Sequence, residues 1–432
     1  MEVNMGTLVL LLTLGVFLAG RVPIAFALGL ASVTYLFFFL PDVPLGTIAQ
    51  QMYAGADSFT LTAIPFFVLV GEIMNAGGIS RRLVHFTRTI VGHLTGGMGV
   101  VSLVSSMIFA SISGSAVANA AGTGAITIPA MIRSGYPRGL AAAIESVSSS
   151  LGAIIPPSIP MIVYGTIAGV SIGGLFVGGY VPAILFGLAL VPLLRASAAR
   201  MGVPVDPRSS LQAMLRAGRE AAPALLAPVL IMGGILGGVM TPTEAGAIGA
   251  LYAFVVAYVF YRDLTLNELP RVLLKTAVTT GVVMLVMTVA SVFSWIMAFE
   301  GIPAAVASQL SGSVGQPWLL MLGIVALLIV VGTFIDTISA LTVLTPVLVP
   351  VATQAGIDPL FLGVIVSTAL TLGVCTPPVG VVLFVTSSIA NTSVEDTSRA
   401  GLPFIAVLIG WTFVLALLPQ VILWLPHLFG FN

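Results

Sequence analysis

The chain has 432 residues, 58% of them hydrophobic and 7% charged, with 15 basic against 15 acidic side chains. A mean hydropathy of +1.15 excludes a water-soluble domain and requires an integral membrane protein of many helices, which satisfy their own backbone in lipid. No alternating strands suggest an outer-membrane barrel and no basic cluster marks a nucleic-acid partner. The lone Cys375 excludes an internal disulfide or a cysteine metal centre.

The first apolar run, Met5–Gly20, continues past Arg21 into a second run and lacks a basic start, so no cleavable signal is expected. Length and hydropathy give ten full spans near 5–20, 22–40, 59–77, 138–167, 176–194, 221–240, 243–261, 275–298, 357–390 and 401–426. Two hairpins fill 96–134 and 316–356. Ile79–Gly92, with Arg81, Arg82, His85 and Arg88, reads as an amphipathic helix on the membrane surface, and Ile302–Val314 is its uncharged counterpart. Residues 196–220, with Pro204, Pro207 and four arginines, read as a cytoplasmic linker. With the N-terminus outside, all 14 arginines and the single lysine, Lys275, fall on one side, as the positive-inside rule demands. The outer loops, 41–58 and 299–315, carry only Asp42, Asp57 and Glu300. Both termini are then periplasmic in a bacterial inner membrane.

The chain also repeats itself. Pro129, Gly135, Ser146, Leu151, Gly152, Pro156, Pro157 and Pro182 recur, 221 positions later and without a gap, as Pro350, Gly356, Ser367, Leu372, Gly373, Pro377, Pro378 and Pro403. The charge rule makes these two repeats inverted, covering 1–215 and 216–432. Gly and Pro interrupt corresponding apolar segments, the mark of a secondary transporter whose broken helices build its site. The expected fold is therefore an all-α polytopic membrane protein. Each inverted repeat holds a re-entrant helical hairpin and a broken transmembrane helix.

The hairpins carry the chemistry. Between Leu94 and Ile132 lies Ser111-Ile-Ser113-Gly114-Ser115-Ala-Val-Ala-Asn119, flanked by arms too short for a full crossing. The matching tip is Gly332-Thr333-Phe-Ile-Asp336-Thr337. Opposite each tip the next span breaks, at Ser148–Ser158 and at Thr371–Pro378. A double proline removes two N–H donors, and the glycine before it permits unusual dihedrals. The carbonyls so freed, with Ser and Thr hydroxyls, suit Na⁺, while half-helix N-termini suit an anionic substrate. This predicts one cation site per repeat, between tip and break, with the substrate between them.

These stretches, Ser113–Asn119, Gly152–Ser158, Gly332–Thr337 and Thr376–Pro378, resemble the large membrane subunit of tripartite ATP-independent periplasmic (TRAP) transporters over essentially the whole chain. The resemblance implies an elevator-type, Na⁺-driven carrier for a small organic acid, such as a dicarboxylate or sialic acid. It implies two partners, a periplasmic substrate-binding protein and a small four-helix membrane subunit, the latter expected as a separate polypeptide. By position it places one cation site at Ser111, Ser113, Gly152 and Pro156 and the other at Gly332, Thr333, Asp336, Gly373 and Thr376. Ser115 and Thr337, on the tips, join the candidate cation set. Asn119, Ser150, Ser158, Thr337 and Pro378 are the candidate substrate residues. Two or more Na⁺ ions are the expected coupling ions, with no organic cofactor.

Other polar residues have plainer readings. Asp336 is the only acid deep in an uncharged stretch and is functional by default. Glu72 and Glu145, nearer the ends of their spans, are expected to pair with nearby arginines. Glu244, after Thr241-Pro242-Thr243, reads as a first-turn helix acid. No histidine has a second ligand at helical spacing, and no glycine loop with Lys-Ser/Thr argues for ATP hydrolysis. The chain is not expected to be an enzyme. Two other readings compete, a stand-alone Na⁺/dicarboxylate symporter and a passive channel. The channel requires a continuous polar pore, whereas the polar residues cluster at two tips.

Overall fold

The computed structural model describes residues 5–20, 22–302, 316–377 and 380–431. Among them every regular element is helical, and eight helices are long and apolar enough to cross a membrane. Pro378 and all but the first residue of the expected surface helix Ile302–Val314 lie outside the described residues.

Each expected hairpin and broken helix is present. The first hairpin is Gly97–Ser113, a turn at Gly114, then Ala116–Gly122 and Gly124–Arg133. The second is Pro317–Phe334 followed by Thr337–Gln354. The first broken helix runs Arg138–Ser150, makes one tighter turn at Leu151–Ala153 and resumes at Ile159–Ala168. The second runs Pro359–Gly373 and resumes at Val381–Ala390. The resumed halves have 10 residues each, about 15 Å of helix, which reaches only half of a bilayer core. Both end at a left-handed residue, Gly169 at φ 68° and Asn391 at φ 50°. Ser171 and Ser393 then cap the next helices, Ile172–Met201 and Val394–Ala416.

Some boundaries differ from the sequence reading. The linker is shorter than 196–220, because helices run to Met201 and restart at Leu211. Gly202 closes the first with φ 63°, the prolines keep 203–209 non-helical, and the Ser210 side chain accepts from the Ala213 N–H. Arg195, Arg200, Arg216 and Arg219 therefore sit on helices. The loop 41–58 contains a helix, Gly46–Ala56. Gly55 lets it lie against Ser291, whose Oγ would be 2.2 Å from an added Cβ. The span expected at 401–426 is two helices, Val394–Ala416 and Pro419–Leu428.

Three large apolar clusters and a small one, at Ala116, Ala120, Ala153, Val374 and Val382 between the tips and breaks, organise the described residues. The largest joins both hairpins, both broken helices, Ile172–Met201 and Val394–Ala416 to parts of Ala63–Ala76, Leu211–Leu236, Pro242–Val255 and Leu269–Phe299. A second ties Ala63–Ala76 to Leu211–Leu236, Pro242–Val255 and the basic helix Ile79–Val91. A third packs Met5–Ala19 and Ile24–Phe39 on the far part of Leu269–Phe299. The helices of the second and third clusters, apart from Phe109 and Ile112 of the first hairpin, are termed the frame, and the largest cluster crosses from the hairpins into them at Phe67, Ile231, Ala245 and Met287. Ile79–Val91 buries Ile79, Leu83, Val84 and Thr87 on one face. Its charged face is held by Arg82 to Asp263 and by a two-point contact of Arg88 with Asp206 at 2.6 and 2.9 Å. Glu244 completes a capping box with Thr241, as the sequence reading expects.

Candidate functional site: two hairpin tips and the cavity between them

The first tip meets the first break backbone to backbone. The Ile159 N–H donates to the Gly114 carbonyl at 3.3 Å. Gly114 has φ 64°, and a Cβ there would lie 2.6 Å from the Pro157 carbonyl oxygen, so only glycine fits. Ser115 caps Ala116–Gly122 and Ser158 caps Ile159–Ala168. Gly152 lies against Asn119, whose Nδ2 would be 2.8 Å from an added Cβ. Pro156 is buried at the break, and Ser111 donates to the Ile108 carbonyl. The Ser113 hydroxyl is buried beside them without a hydrogen-bond partner among the described residues.

The second tip uses the same construction with tighter contact. A Cβ on Gly373 would lie 2.2 Å from the carbonyl carbon of Gly332, and one on Gly332 would lie 3.0 Å from the Leu370 carbonyl oxygen. Asp336 caps Thr337–Gln354 by accepting from the Ile338 and Ser339 N–H groups, each at 3.1 Å. Thr333 donates to the Val330 carbonyl and Thr376 to the Leu372 carbonyl. The hydroxyls of Ser339 and Thr371 are buried without partners among the described residues. Orphaned hydroxyls beside unwound backbone are what a small hard cation would satisfy.

Between the tips lies a cavity of about 450 Å³. Four half-helix starts reach it: Ser115 with Ala116, Ile159 with Pro160, Asp336 with Thr337, and Val381. The frame contributes Glu72 and Asn75 from Ala63–Ala76, and Lys275 and Thr279 from Leu269–Phe299. Lys275 Nζ lies 4.0 Å from Glu72. Glu72 thus pairs with the lysine rather than with an arginine, because the two frame helices bring position 275, not the basic helix, to its carboxylate. Of the substrate candidates, Thr337 lines the cavity. Asn119, Ser150 and Ser158 are fully buried behind its wall. The frame residues Asn75, Glu72 and Lys275 are not among the sequence candidates, although a sole lysine in an apolar chain is itself a signal.

Glu145 also departs from the expected arginine pairing. It is 0% exposed and accepts hydrogen bonds from Ser102, Ser106, Thr123, Thr127 and Ser149. Arg138 lies two turns away along the same helix, about 10 Å from it, and donates instead to the Ala390 carbonyl.

Comparison with known proteins agrees with this architecture. The family "Tripartite ATP-independent periplasmic transporter, DctM component" matches residues 11–421. The 2,3-diketo-L-gulonate TRAP transporter large permease protein of Escherichia coli is 40% identical over 416 residues, covering 96% of this chain and 98% of that protein. The C4-dicarboxylate TRAP transporter large permease protein of Pseudomonas aeruginosa is 38% identical over 406 residues, covering 94% and 95%. The solved YdaH transporter of Alcanivorax borkumensis, described as having an unusual topology, shares the fold with a TM-score of 0.55 at 16% identity, over 83% of this chain and 86% of that one. The chain therefore belongs to the DctM component of the tripartite ATP-independent periplasmic transporters and is a large permease subunit.

Proposed function

We propose that this subunit imports a small carboxylate by Na⁺ symport. Each tip-and-break pair holds one coupling ion, and the substrate occupies the cavity between them. The observation that carries this reading is the repetition of one construction. Buried, unpartnered hydroxyls stand beside unwound backbone at Ser113 in one repeat and at Ser339 and Thr371 in the other, and both tips face one cavity. An anion there meets helix N-termini and the Lys275 ammonium. The P. aeruginosa and E. coli relatives are named for C4-dicarboxylate and 2,3-diketo-L-gulonate, which supports a small carboxylate as the class.

Transport proceeds by an elevator movement. The hairpin core carries ions and substrate across while the frame stays in the membrane. The cluster of Met5–Ala19, Ile24–Phe39 and Leu269–Phe299, whose fully buried residues all lie in the frame, supports this division. A periplasmic binding protein delivers substrate and a small four-helix membrane subunit holds the frame, in a bacterial inner membrane with both termini periplasmic. Family membership disfavours the stand-alone symporter. The test is uptake by proteoliposomes containing both membrane subunits, with and without binding protein and a Na⁺ gradient. Uptake by the large subunit alone would overturn the tripartite reading.

A further inference from the structure

Glu145 is a buried carboxylate with no ion pair among the described residues. Ser102 and Thr127 donate to Oε2, each at 2.5 Å. Ser106, Thr123 and Ser149 donate to Oε1 at 3.1, 2.6 and 2.8 Å. All five hydroxyls can donate at once, which would satisfy an ionised carboxylate, an acceptor only. The charged groups on the elements packed around it are Arg133, Arg138, Glu395, Asp396 and Arg399, at the ends of their helices. None forms an ion pair with Glu145.

The fold does not require this cluster. The positions 221 residues further on are Gly323, Leu327, Leu344, Leu348, Val366 and Leu370. The second repeat builds the same hairpin and broken helix with apolar residues at all six places. It carries its acid on the tip instead, at Asp336, where the first repeat has Ser115. The only other acid between 316 and 390, Asp358, caps the far end of its helix.

The cluster is also wired to the first tip. The Thr123 hydroxyl, donating to Glu145, lies 2.8 Å from the Asn119 carbonyl and 3.1 Å from Asn119 Oδ1 without a second proton to give either. Asn119 Nδ2 holds the Ser106 carbonyl at 3.0 Å and abuts Gly152. Seven residues separate Glu145 from Gly152, about 10 Å along a helix.

We propose that Glu145 supplies the negative charge of the first cation site from behind the tip, the part that Asp336 plays on the tip of the second. This rests on the Na⁺ reading above. Opposite charges about 10 Å apart in a partly buried setting attract enough to change affinity roughly tenfold. Glu145 is then a positioning residue by field, not a ligand.

The purified subunit complex tests this by thermal unfolding in NaCl titrated against KCl. Glu145→Gln should need about ten times more Na⁺ for half-maximal stabilisation. Glu145→Asp, which keeps the charge and shortens the side chain, should stay closer to wild type. A packing role predicts the reverse order, since Gln fills the site and Asp does not, and that order would overturn the inference. So would an unchanged Na⁺ response in Glu145→Gln, which would mean a neutral acid. If Glu145→Gln fails to fold, the exchange Glu145→Ser with Ser149→Asp moves the carboxylate one turn. A Na⁺ response within about threefold of wild type supports the charge, and a folded protein without it refutes the charge. A wild type that answers NaCl and KCl alike removes the cation reading itself, and this inference with it.

Discussion

Ser115 and Asp336 stand 221 positions apart and cap the same half-helix in the two repeats. Ser115 accepts from the Ala118 N–H at 3.3 Å, and Asp336 accepts from two N–H groups at 3.1 Å. The structural task is the same and only the charge differs. That separation lets charge be tested without loss of the cap.

Asp336→Asn keeps an equally good N-cap, so folded yield should hold and the melting temperature should move by no more than a few degrees. Apparent Na⁺ affinity should fall sharply and transport with it. Ser115→Ala removes a cap instead, costing about 1 kcal/mol of stability, with a smaller effect on apparent Na⁺ affinity. Na⁺-dependent uptake and thermal unfolding on the same preparations give both quantities. An Asp336→Asn protein with normal Na⁺ dependence would remove the carboxylate from the cation site.

Lys275 should fix a substrate carboxylate while Glu72, 4.0 Å away, competes for it. Lys275→Ala should raise the substrate concentration for half-maximal uptake about tenfold or more, the scale of one charge-assisted hydrogen bond, and leave the Na⁺ dependence in place. Glu72→Gln should lower it up to about fivefold, because an exposed pair is worth at most about 1 kcal/mol. Changes of the same sign in both variants would contradict this arrangement.

Much of this was legible in the chain. The offset of 221 located both breaks, because a helix that must unwind beside another needs Gly and Pro wherever the construction recurs, and the short arms around a polar middle located both hairpins. The helix Gly46–Ala56 was not legible, since it buries no residue fully and has no apolar stripe to read. Nor were the partners of Glu72 and Glu145. Those depend on which helix faces come together across 203 residues from Glu72 to Lys275, or on five hydroxyls that looked like ordinary small polar residues one at a time.

Close packing at the second tip gives a steric prediction. Gly373→Ala would put a Cβ 2.2 Å from the Gly332 backbone, which cannot retreat as a side chain can. Overpacking of this kind costs about 3 kcal/mol or more, so yield and melting temperature should both fall. Gly152→Ala meets a side-chain amide at 2.8 Å and should be milder. Gly410→Ala, with nothing within 4 Å, should be silent. Equal stability for Gly373→Ala and Gly410→Ala would refute the backbone contact.

Orientation is open to thiol labelling in a Cys375→Ala background, since Cys375 is buried and would not interfere. Gly55 and Thr397 are poor positions, the one packed on Ser291 and the other fully buried. Gly46 and Gln316 are exposed, and Ser209 sits in the linker. Cysteines at 46 and 316 should react with an impermeant reagent added to the periplasmic side, and one at 209 should not. The opposite pattern would invert the topology.

The proposed coupling of Na⁺ to carboxylate import at two tip-and-break sites underlies the Asp336 and Lys275 predictions. Its most direct measurement is substrate uptake into proteoliposomes holding both membrane subunits, with binding protein outside, at constant pH and without ATP. An inward Na⁺ gradient should drive accumulation, and replacing Na⁺ by K⁺ should abolish it. Undiminished accumulation in Na⁺-free buffer would contradict the account.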